Sequence, residues 1–377
     1  MKKTVNILQV GMTDNIGGME TYLINQYRQL NRNKIEYDFV NITGDRHMVF
    51  EEEIKDAGNQ VYKICRRSKN PFKHYYDWWK LLKKQRGKYD AIVLNACHLY
   101  YVFPLVIGRI MGIKIRIMHS HNSGDELQIN VLRQFIVWLN SKLMFWAATD
   151  CWACSNAAGK WMFRNRKFII IHNAIDTRKF TFNEVIRNKK RKELKIEGKF
   201  VVGHVGRFTY QKNHKFLITV FSEACKKNSN MILLLVGDAV GIDKEYLLQT
   251  HEMVNQLGLQ DKVLFLGMRT DVNELMQAMD CFLLPSHFEG LPVVGVEAQA
   301  AGLPCFFSNT ITPDLSITSL VHYCNNSGLT EWVDSIFEYC NYKRNNMQQQ
   351  ITNSGYDIAT EIYKIEQFYL NRCSHGL

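Results

Sequence analysis

Residues 281–302 read CFLLPSHFEGLPVVGVEAQAAG, and this stretch predicts a strand, a loop and a helix in immediate succession. The apolar run Cys281–Leu284 is typical of a buried strand in a parallel sheet. Proline, serine and glycine within 285–290 indicate a loop. Pro292 suits the first turn of a helix, which Gly302 would end.

Two glutamates lie in this stretch, Glu289 in the predicted loop and Glu297 in the predicted helix. A mostly helical segment would hold their carboxylates about 12 Å apart along its axis, roughly the span from the sugar to the ribose of a nucleotide diphosphate sugar. Between them, the amides of Val293 and Val294 lie at a helix N-terminus, which favours phosphate. The alternative is an amphipathic helix with two solvated glutamates. However, Glu297 lies among Val, Ala and Gly, where an ionised carboxylate needs a partner.

These residues resemble the signature of the retaining glycosyltransferases of family 4. That signature is a Glu, seven residues and a second Glu, with a Gly-Leu-Pro turn and a helix of small residues. The resemblance extends over most of the chain. It implies the GT-B architecture, an α/β fold in which two Rossmann-like, doubly wound domains face a central cleft and a C-terminal helix returns to the first domain.

The rest of the chain agrees with two domains of this class. Its 377 residues, 46% apolar, are enough for two cores. Strand-like runs alternate with helical stretches in two series, as in parallel sheets with crossover helices. The first series comprises Val5–Val10, Tyr37–Ile42, Val61–Ile64, Ala91–Leu94, Ile113–Met118, Asp150–Ala153 and Phe168–Ile171. The second comprises Phe200–Val205, Met231–Val236, Lys262–Leu266, Cys281–Leu284 and Pro304–Phe307.

We predict an N-terminal acceptor-side domain over residues 1–175 and a C-terminal nucleotide-sugar-binding domain over 176–350. Residues 351–377 are expected to form the returning helix. The boundary between the domains is placed in the turn-rich stretch 173–198. Its basic run, 187–192, is expected to be solvated.

Two cations follow the first strand of the second series, in a position where strand-end loops line the ligand crevice. Arg207 and Lys212 are predicted to bind the leaving diphosphate, Arg207 as a planar fork and Lys212 as a point charge. Two ordinary surface cations are the alternative. No Asp-X-Asp triplet occurs in the sequence. We therefore predict no metal and no cofactor, with side chains and helix dipoles stabilising the diphosphate of the donor substrate.

Two more donor contacts are predicted in the first domain. Gly17 and Gly18 open a helix after the first strand, where small residues let the backbone approach a ligand. The resemblance places this pair against the donor, and a glycine turn without a ligand is the alternative. It also implies a histidine that contacts the donor sugar. We assign this role to His121 rather than His119, which is closer to the strand and would point back into the domain.

The last donor contact follows the strand at 262–266, where Thr270 or Asp271 is expected to cap a helix. The resemblance places the backbone of Arg269 against the base, and a simple helix cap is the alternative. A zinc site at the two histidines is disfavoured, since no third ligand has suitable spacing.

Compartment signals favour a cytoplasmic protein. The apolar run after Met1 is too short for a signal peptide, and no segment has the roughly 18 apolar residues of a spanning helix. Ten scattered cysteines indicate reduced thiols. Cys151 and Cys154 have the spacing of a redox or zinc motif but are interpreted as part of a core strand.

The net charge of +11 indicates an acidic partner. Basic and aromatic residues alternate in the segment 63–88, which predicts an interfacial helix on the anionic inner face of the cell membrane. A solvated helix with inward-facing aromatics is the alternative. No nucleic-acid-binding motif accompanies this segment.

Together these features predict a retaining, metal-independent transfer of a hexose or N-acetylhexosamine from a UDP-sugar. The predicted acceptor is a lipid-linked saccharide in capsule or exopolysaccharide assembly. Catalytic roles are assigned to Glu289, His121, Arg207 and Lys212, and Glu297 is assigned to the ribose. Two alternatives stay open: a UDP-sugar epimerase, which would convert the donor alone, and a noncatalytic polyanion-binding protein, which would bind with steep salt dependence and ignore UDP.

Overall fold

The computed structural model describes residues 4–14, 17–44, 46–124 and 131–374. The chain divides into two compact units. The N-terminal unit comprises Met1–Ala174 and Ile358–Leu377, and the C-terminal unit comprises Ile175–Asp357. Residues 1–3 and 375–377, which the predicted domain ranges include, lie outside the described residues.

A parallel sheet with strand order β3-β2-β1-β4-β5-β6-β7 forms the centre of the N-terminal unit. Ile7, Leu8 and Val10 of the first strand are buried on both faces of the sheet, as expected when crossover helices cover a parallel sheet. The strands are β1 (Val5–Val10), β2 (Ile35–Asn41), β3 (Val61–Lys63), β4 (Ala91–Ala96), β5 (Ile115–Ser120), β6 (Asp150–Ala153) and β7 (Ile169–Ile170).

A second parallel sheet, of order β10-β9-β8-β11-β12-β13, forms the centre of the C-terminal unit. The strands are β8 (Phe200–Val205), β9 (Met231–Val236), β10 (Val263–Phe265), β11 (Cys281–Leu284), β12 (Cys305–Ser308) and β13 (Val321–Cys324). The sequence prediction missed β13. This edge strand pairs only with β12 among the described strands, and three of its four residues are partly exposed.

Helices connect the strands and cover the sheets. In chain order they are α1 (Gly18–Gln29), α2 (Glu51–Asp56), α3 (Pro71–Lys84), α4 (Phe103–Ile110), α5 (Val131–Ala147), α6 (Asn156–Phe163), α7 (Thr177–Phe180), α8 (Glu184–Leu194), α9 (His214–Lys227), α10 (Lys244–Gln256), α11 (Val272–Ala278), α12 (Val293–Ala300), α13 (Leu329–Glu338), α14 (Gln348–Asn353) and α15 (Ile358–Ser374). In the described ranges, no helix combines the length and the apolar character needed to span a membrane.

Helix α15 packs into the N-terminal unit. Ile362, Ile365 and Tyr369 join the same apolar core as Ile7 and Leu23. The prediction placed this helix in a single segment from residue 351. Instead, the chain turns at Gly355, which has φ +82°, and residues 351–357 stay with the C-terminal unit. Ile175 and Thr177 hold this stretch through a β-bridge and a 2.7 Å hydrogen bond to Asp357.

The structure corrects the prediction that the whole basic run at 187–192 is solvated. It belongs to α8, in which Lys190 and Arg191 are buried in ion pairs while Lys189 and Lys192 are exposed as predicted. Arg191 donates to the Asp280 carboxylate at 2.5 Å, and the side chain of Lys190 is 5% exposed and contacts Asp271 at 2.8 Å. Acidic partners from distant parts of the sequence therefore allow these cations to be buried.

The Cys151 and Cys154 pair lies on or next to β6, as predicted for a core strand. Cys154 is fully buried and Cys151 is partly buried. Burial raises the pKa of Cys151 to about 11, so its thiol stays protonated at neutral pH.

Each sheet has one point at which the strand order changes direction. In the N-terminal unit this point lies between β1 and β4, and in the C-terminal unit it lies between β8 and β11. In open parallel sheets, ligands bind outside the carboxyl ends of the strands at such a point. The loops that follow β1, β4, β8 and β11 are therefore the expected places for a functional site.

Candidate functional site

Two loops of the C-terminal unit meet at its topological switch point. Residues 206–213 follow β8 and residues 285–292 follow β11. The His287 amide donates to the Gln211 carbonyl at 2.8 Å, and Asn213 Nδ2 donates to the Pro285 carbonyl at 3.1 Å. The rings of Tyr210 and His287 stack with centroids 4.4 Å apart. These contacts hold the two loops together as one surface.

Lys212 and Glu289 form the centre of this surface. Lys212 Nζ lies 2.5 Å from Glu289 Oε1, and both side chains are largely buried. Ser286 Oγ donates to Glu289 Oε1 at 2.8 Å, and Gln211 Nε2 donates to Glu289 Oε2 at 3.2 Å. Hydrogen bonds from three side chains therefore satisfy a charge that would otherwise be costly to bury. The sequence assigned Lys212 and Glu289 to different parts of the donor, and the structure places them in direct contact.

Arg207, the other predicted cation, lies in the same loop with an exposed side chain. Within the described ranges it has no recorded hydrogen bond or ion pair. Its position is set by the backbone: the Phe208 amide donates to the Asp238 carbonyl at 3.1 Å, and the Phe208 ring is buried. Gly237 has φ +140°, and a side chain there would clash with the Gly206 carbonyl. This guanidinium is therefore available to an anion from solvent.

Helix α12 begins at Val293, with Pro292 as its N-cap residue. The amides of Val293 and Val294 have no recorded acceptor among the described residues, as expected for the first turn of a helix. At the other end, Gly302 has φ +69° and its amide donates to the Gln299 carbonyl at 2.9 Å. The predicted start and end of this helix are thus confirmed.

Glu297 lies in the interior of α12 and is partly exposed. Burial raises its pKa to about 7. No hydrogen bond or ion pair to this carboxyl is recorded among the residues that the structure describes. A carboxyl group in this state gains from a ligand that donates hydrogen bonds to it.

Arg269 directs its guanidinium into the protein's own ion pairs. Its Nε and Nη2 atoms each lie 2.7 Å from an oxygen of Asp271, which also contacts Lys190. Asp271 is the N-cap residue of α11, one of the two predicted positions, but its side chain makes no capping hydrogen bond. The reason is competition, because two cations already occupy the Asp271 carboxylate.

In the N-terminal unit, Gly17 is the N-cap residue of α1 and Gly18 is its first residue. A Cβ atom at Gly17 would lie 2.9 Å from Glu20 Oε2. Glu20 is buried and accepts a hydrogen bond from Thr13 Oγ1 at 2.8 Å. The small residue therefore allows a tight turn in which an acidic side chain folds back at the start of the helix.

His119 and His121 lie side by side at the end of β5, with ring centroids 4.0 Å apart. His119 is within the strand and is fully buried against Trp152, whereas His121 directly follows the strand and is 9% exposed. Burial lowers the pKa of His121 to about 3, and the Asn173 side chain offsets only part of this shift. His121 is therefore neutral at physiological pH, and of the two histidines it is the more accessible.

Asn95 orients the His121 ring. Asn95 Nδ2 donates to Gln9 Oε1 at 2.9 Å and to the Val10 carbonyl at 3.1 Å, so its Oδ1 faces His121 Nε2 at 3.1 Å. This network favours a proton on Nε2 and a lone pair on Nδ1. The Asn173 side chain lies nearby, but His121 Nδ1 makes no close hydrogen bond among the described residues. It is therefore suited to accept a hydrogen bond from a hydroxyl group.

Two family models match the chain. The model described as Glycosyltransferase Family 4 matches residues 16–179, and the model described as Glycosyl transferases group 1 matches residues 185–322. The chain is also 30% identical over 320 residues to an Escherichia coli enzyme, covering 78% of each chain. The name of that enzyme is UDP-Gal:alpha-D-GlcNAc-diphosphoundecaprenol alpha-1,3-galactosyltransferase. The chain belongs to glycosyltransferase family 4.

Two further proteins are similar to this chain over nearly its whole length. EpsF of Bacillus subtilis is 27% identical over 98% of this chain and 96% of its own. The crystal structure of Anabaena HepE in complex with UDP-glucose has a TM-score of 0.77 at 20% identity, covering 97% of this chain and 99% of that one. This structural likeness confirms the predicted GT-B fold with two Rossmann-like units. An epimerase or a noncatalytic polyanion-binding protein finds no support in these matches.

Three polar residues around the predicted site of this family 4 enzyme were not assigned a role from the sequence. Asn95 ends an apolar strand, and Gln211 and Ser286 lie in the loops after β8 and β11. Polar side chains at the carboxyl end of a buried strand, or in the loop that follows it, are the signal that could have identified them. The partner of Asn95, His121, and the partner of Gln211, Glu289, lie too far away in the sequence to be recognised from spacing, whereas Ser286 lies only three residues before Glu289.

Proposed function

We propose that this enzyme is a retaining hexosyltransferase that moves a hexose or an N-acetylhexosamine from a UDP-sugar to a lipid-linked saccharide. The observation that carries the proposal is the Lys212–Glu289 pair at the switch point between β8 and β11, with the exposed Arg207 in the same loop. The name of the E. coli relative supports both a UDP-sugar donor and a diphosphate-lipid acceptor. Capsule or exopolysaccharide assembly is the proposed pathway.

The leaving diphosphate is assigned to Arg207, Lys212 and the amides of Val293 and Val294. Arg207 supplies a planar fork of donors, Lys212 a compact charge, and the helix amides a positive partial charge. Binding the donor requires Lys212 to share its ammonium between Glu289 and a phosphate oxygen. The sequence lacks an Asp-X-Asp triplet, and we propose that these groups stabilise the diphosphate without a metal.

The other donor contacts divide between sugar and nucleoside. Glu289 is proposed to accept hydrogen bonds from sugar hydroxyls, and Glu297 from the ribose. In the N-terminal unit, His121 Nδ1 is proposed to accept from a sugar hydroxyl, and the Gly17–Gly18 backbone to approach the donor. The backbone at Arg269 is assigned to the base.

In the proposed step, the acceptor hydroxyl attacks the anomeric carbon from the face that the diphosphate leaves. The new C–O bond forms as the bond to the phosphate oxygen breaks, and the hydroxyl proton passes to that oxygen. The anomeric configuration is thus retained without a covalent glycosyl-enzyme. Arg207 and Lys212 act by stabilising the charge that grows on the diphosphate.

The membrane is the proposed location, because the acceptor is lipid-linked. Helix α3, within the basic segment 63–88, supports it: Phe72, Tyr76 and Trp79 are exposed, and Trp78 packs inward. The alternative in which all of these aromatics pack inward is therefore wrong. We propose that the enzyme acts on the anionic inner face of the cell membrane.

The proposed function predicts sugar transfer from one UDP-sugar with retention. The purified chain is incubated with UDP-glucose, UDP-galactose, UDP-N-acetylglucosamine and UDP-N-acetylgalactosamine, each with a diphospholipid-linked N-acetylhexosamine. We expect one donor to give a product with an axial anomeric linkage by NMR, with EDTA present throughout. An equatorial linkage, or activity only with added divalent metal, would contradict the proposed mechanism. Each donor is also incubated alone, where the formation of an epimer would indicate an epimerase.

The raised pKa of Glu297 predicts that UDP binding depends on pH. Since burial raises the pKa of Glu297 to about 7, this carboxyl group is largely protonated at pH 6 and largely ionised at pH 8. Ribose hydroxyls donate more strongly to a carboxylate than to a neutral acid. The dissociation constant for UDP, measured by calorimetry, is expected to fall by up to about tenfold from pH 6 to pH 8. Binding below pH 7 should release a proton from Glu297.

Glu297→Gln is the matched test, since glutamine keeps the shape of the side chain and does not ionise. The phosphate ionisation of UDP affects both proteins equally, so the ratio of the two pH profiles isolates the Glu297 contribution. Glu223→Gln, which changes an exposed glutamate paired with Lys226, serves as control. Identical pH profiles for wild type and Glu297→Gln would rule out the ribose role.

A further inference from the structure

Helix α5 of the N-terminal unit exposes an apolar stripe. Val131, Phe135, Trp138, Leu139 and Trp146 lie on one side, at the spacing of a single helical face. Phe135, Trp138 and Trp146 are 57%, 52% and 47% exposed. Of the helix's seventeen residues only Met144 and Ala147 are buried. This is the reverse of an ordinary surface helix, whose outward face is polar.

Among the described residues, the charges on α5 and on its neighbour α3 are almost all positive; Asp125 and Glu126, which precede α5 in the sequence, lie outside the described residues. Helix α5 contains Arg133 and Lys142 and no carboxylate. Helix α4 packs against both α5 and α3, so the three helices are neighbours in the same unit. Helix α3 adds the exposed rings described above and four lysines against a single carboxylate, Asp77. The α3 lysines are Lys73, Lys80, Lys83 and Lys84.

A cation lies directly over an exposed indole ring on each of the two helices, α3 and α5. The Arg109 guanidinium lies 4.4 Å from the centre of the Trp146 ring, and Lys83 Nζ lies 4.4 Å from the Trp79 ring. Tryptophan with an adjacent cation is typical of the membrane interface, where the ring enters the acyl boundary and the charge meets the headgroups. Helices α3 and α5 therefore present the same chemistry.

The dimensions of α5 exclude a spanning helix. Seventeen residues extend about 26 Å, which is less than the roughly 30 Å hydrocarbon core of a bilayer. Arg133 and Lys142 would also lie within that core. An apolar stripe with a basic surround fits a helix that lies in the plane of the interface.

We infer that the α5 stripe inserts into an anionic phospholipid bilayer while the α3 lysines contact the lipid phosphates. This surface, defined as the exposed residues of α3 and α5, would bring the enzyme to its lipid-linked acceptor, and in that respect the inference rests on the proposed function. A second copy of the chain fits this surface less well than anionic lipid does. A symmetric contact through this surface would place cations against cations, whereas anionic lipid complements them.

The test is binding of the full-length chain to phosphatidylglycerol-containing vesicles, measured by flotation. Combined Phe135→Ser, Trp138→Ser and Leu139→Ser substitutions are expected to lower the partition coefficient by at least about tenfold at both low and high salt, because they remove apolar insertion. Combined Lys80→Glu, Lys83→Glu and Lys84→Glu substitutions should lower it at low salt and have little effect at high salt. Vesicles of phosphatidylcholine alone should bind the wild-type chain more weakly.

Two matched controls come from the C-terminal unit. Val185→Ser, Ile242→Ser and Leu248→Ser change the same number of exposed apolar residues, all of them aliphatic. Lys189→Glu, Lys192→Glu and Lys195→Glu change exposed lysines. Both control variants should bind vesicles as the wild type does. If a control variant loses as much vesicle binding as the α5 or α3 variant to which it is matched, then general hydrophobicity or net charge, and not this surface, causes binding.

The inference is overturned if the α5 variant binds vesicles as wild type does. It is also overturned if sedimentation shows a wild-type dimer that the α5 variant abolishes while vesicle binding is unchanged. The circular dichroism spectrum and the melting temperature are measured in parallel to show that the variant is folded. If α5-dependent vesicle binding is found but no sugar is transferred, the proposed function fails and the membrane surface stands.

Discussion

Glu289→Gln is expected to lower kcat by about 10²- to 10³-fold, the usual effect of removing one electrostatic group from a preorganised site. Glutamine retains the shape of the side chain but loses the negative charge that holds Lys212 Nζ at 2.5 Å. In the proposed mechanism both the sugar and the diphosphate contacts then lose their alignment. Steady-state kinetics with saturating donor and acceptor measure the change.

Folding and catalysis must be separated for this substitution, because Lys212 is left without its carboxylate partner. We expect a moderate fall in melting temperature and retained UDP binding. Glu223→Gln is the matched control, since it removes an exposed glutamate that pairs with Lys226 at 2.7 Å. A Glu289→Gln protein with the wild-type kcat would remove Glu289 from the mechanism.

Arg207→Ala is expected to weaken UDP binding by about 10- to 150-fold, which corresponds to about 1.5–3 kcal/mol for a charge-assisted hydrogen bond. Uridine binding should stay unchanged, since uridine lacks the diphosphate. The side chain is exposed and has no recorded ion pair in the described ranges, so the melting temperature should also stay unchanged. Calorimetry with the two ligands measures the difference.

Two further variants sharpen this test. Arg207→Lys keeps the charge but loses the planar fork, and an intermediate loss is expected. Arg178→Ala, which changes an exposed arginine of the same unit, should leave UDP binding unaltered. Equal losses for UDP and uridine at Arg207→Ala would show that this side chain does not contact the diphosphate.

The strands were the most predictable part of the fold. Strands β1, β6, β8, β9 and β11 begin and end at the predicted residues, since buried parallel strands are short apolar runs bounded by polar or turn residues. Strand β13 reads VHYC and has no such contrast with its surroundings. An edge strand has one neighbour and a partly exposed face, so its sequence carries a weaker signal.

Helix α8 shows where local pattern reasoning fails. A run of five cations within six residues predicts a solvated surface, yet Lys190 and Arg191 are buried. Their partners Asp271 and Asp280 lie about eighty residues further along the chain. The same contacts occupy the Asp271 carboxylate, so Asp271 is the N-cap residue of α11 without a capping hydrogen bond from its side chain.

The candidate site shows the same division. Its residue types and their positions after strands could be predicted, because strand-end loops line the crevice of an open parallel sheet. The contact between Lys212 and Glu289 joins residues 77 positions apart and depends on β8 and β11 being neighbours. The orientation of His121 likewise depends on Asn95, which lies 26 residues earlier on the adjacent strand.

The return of α15 to the N-terminal unit has a consequence for biosynthesis. On the ribosome, the C-terminal unit has all of its sequence once residue 357 has emerged, whereas the N-terminal unit still lacks Ile362, Ile365 and Tyr369. The usual vectorial order, in which the first domain matures first, is therefore reversed for this chain. Until the last helix docks, the nascent first unit carries an open apolar seam beside Leu23.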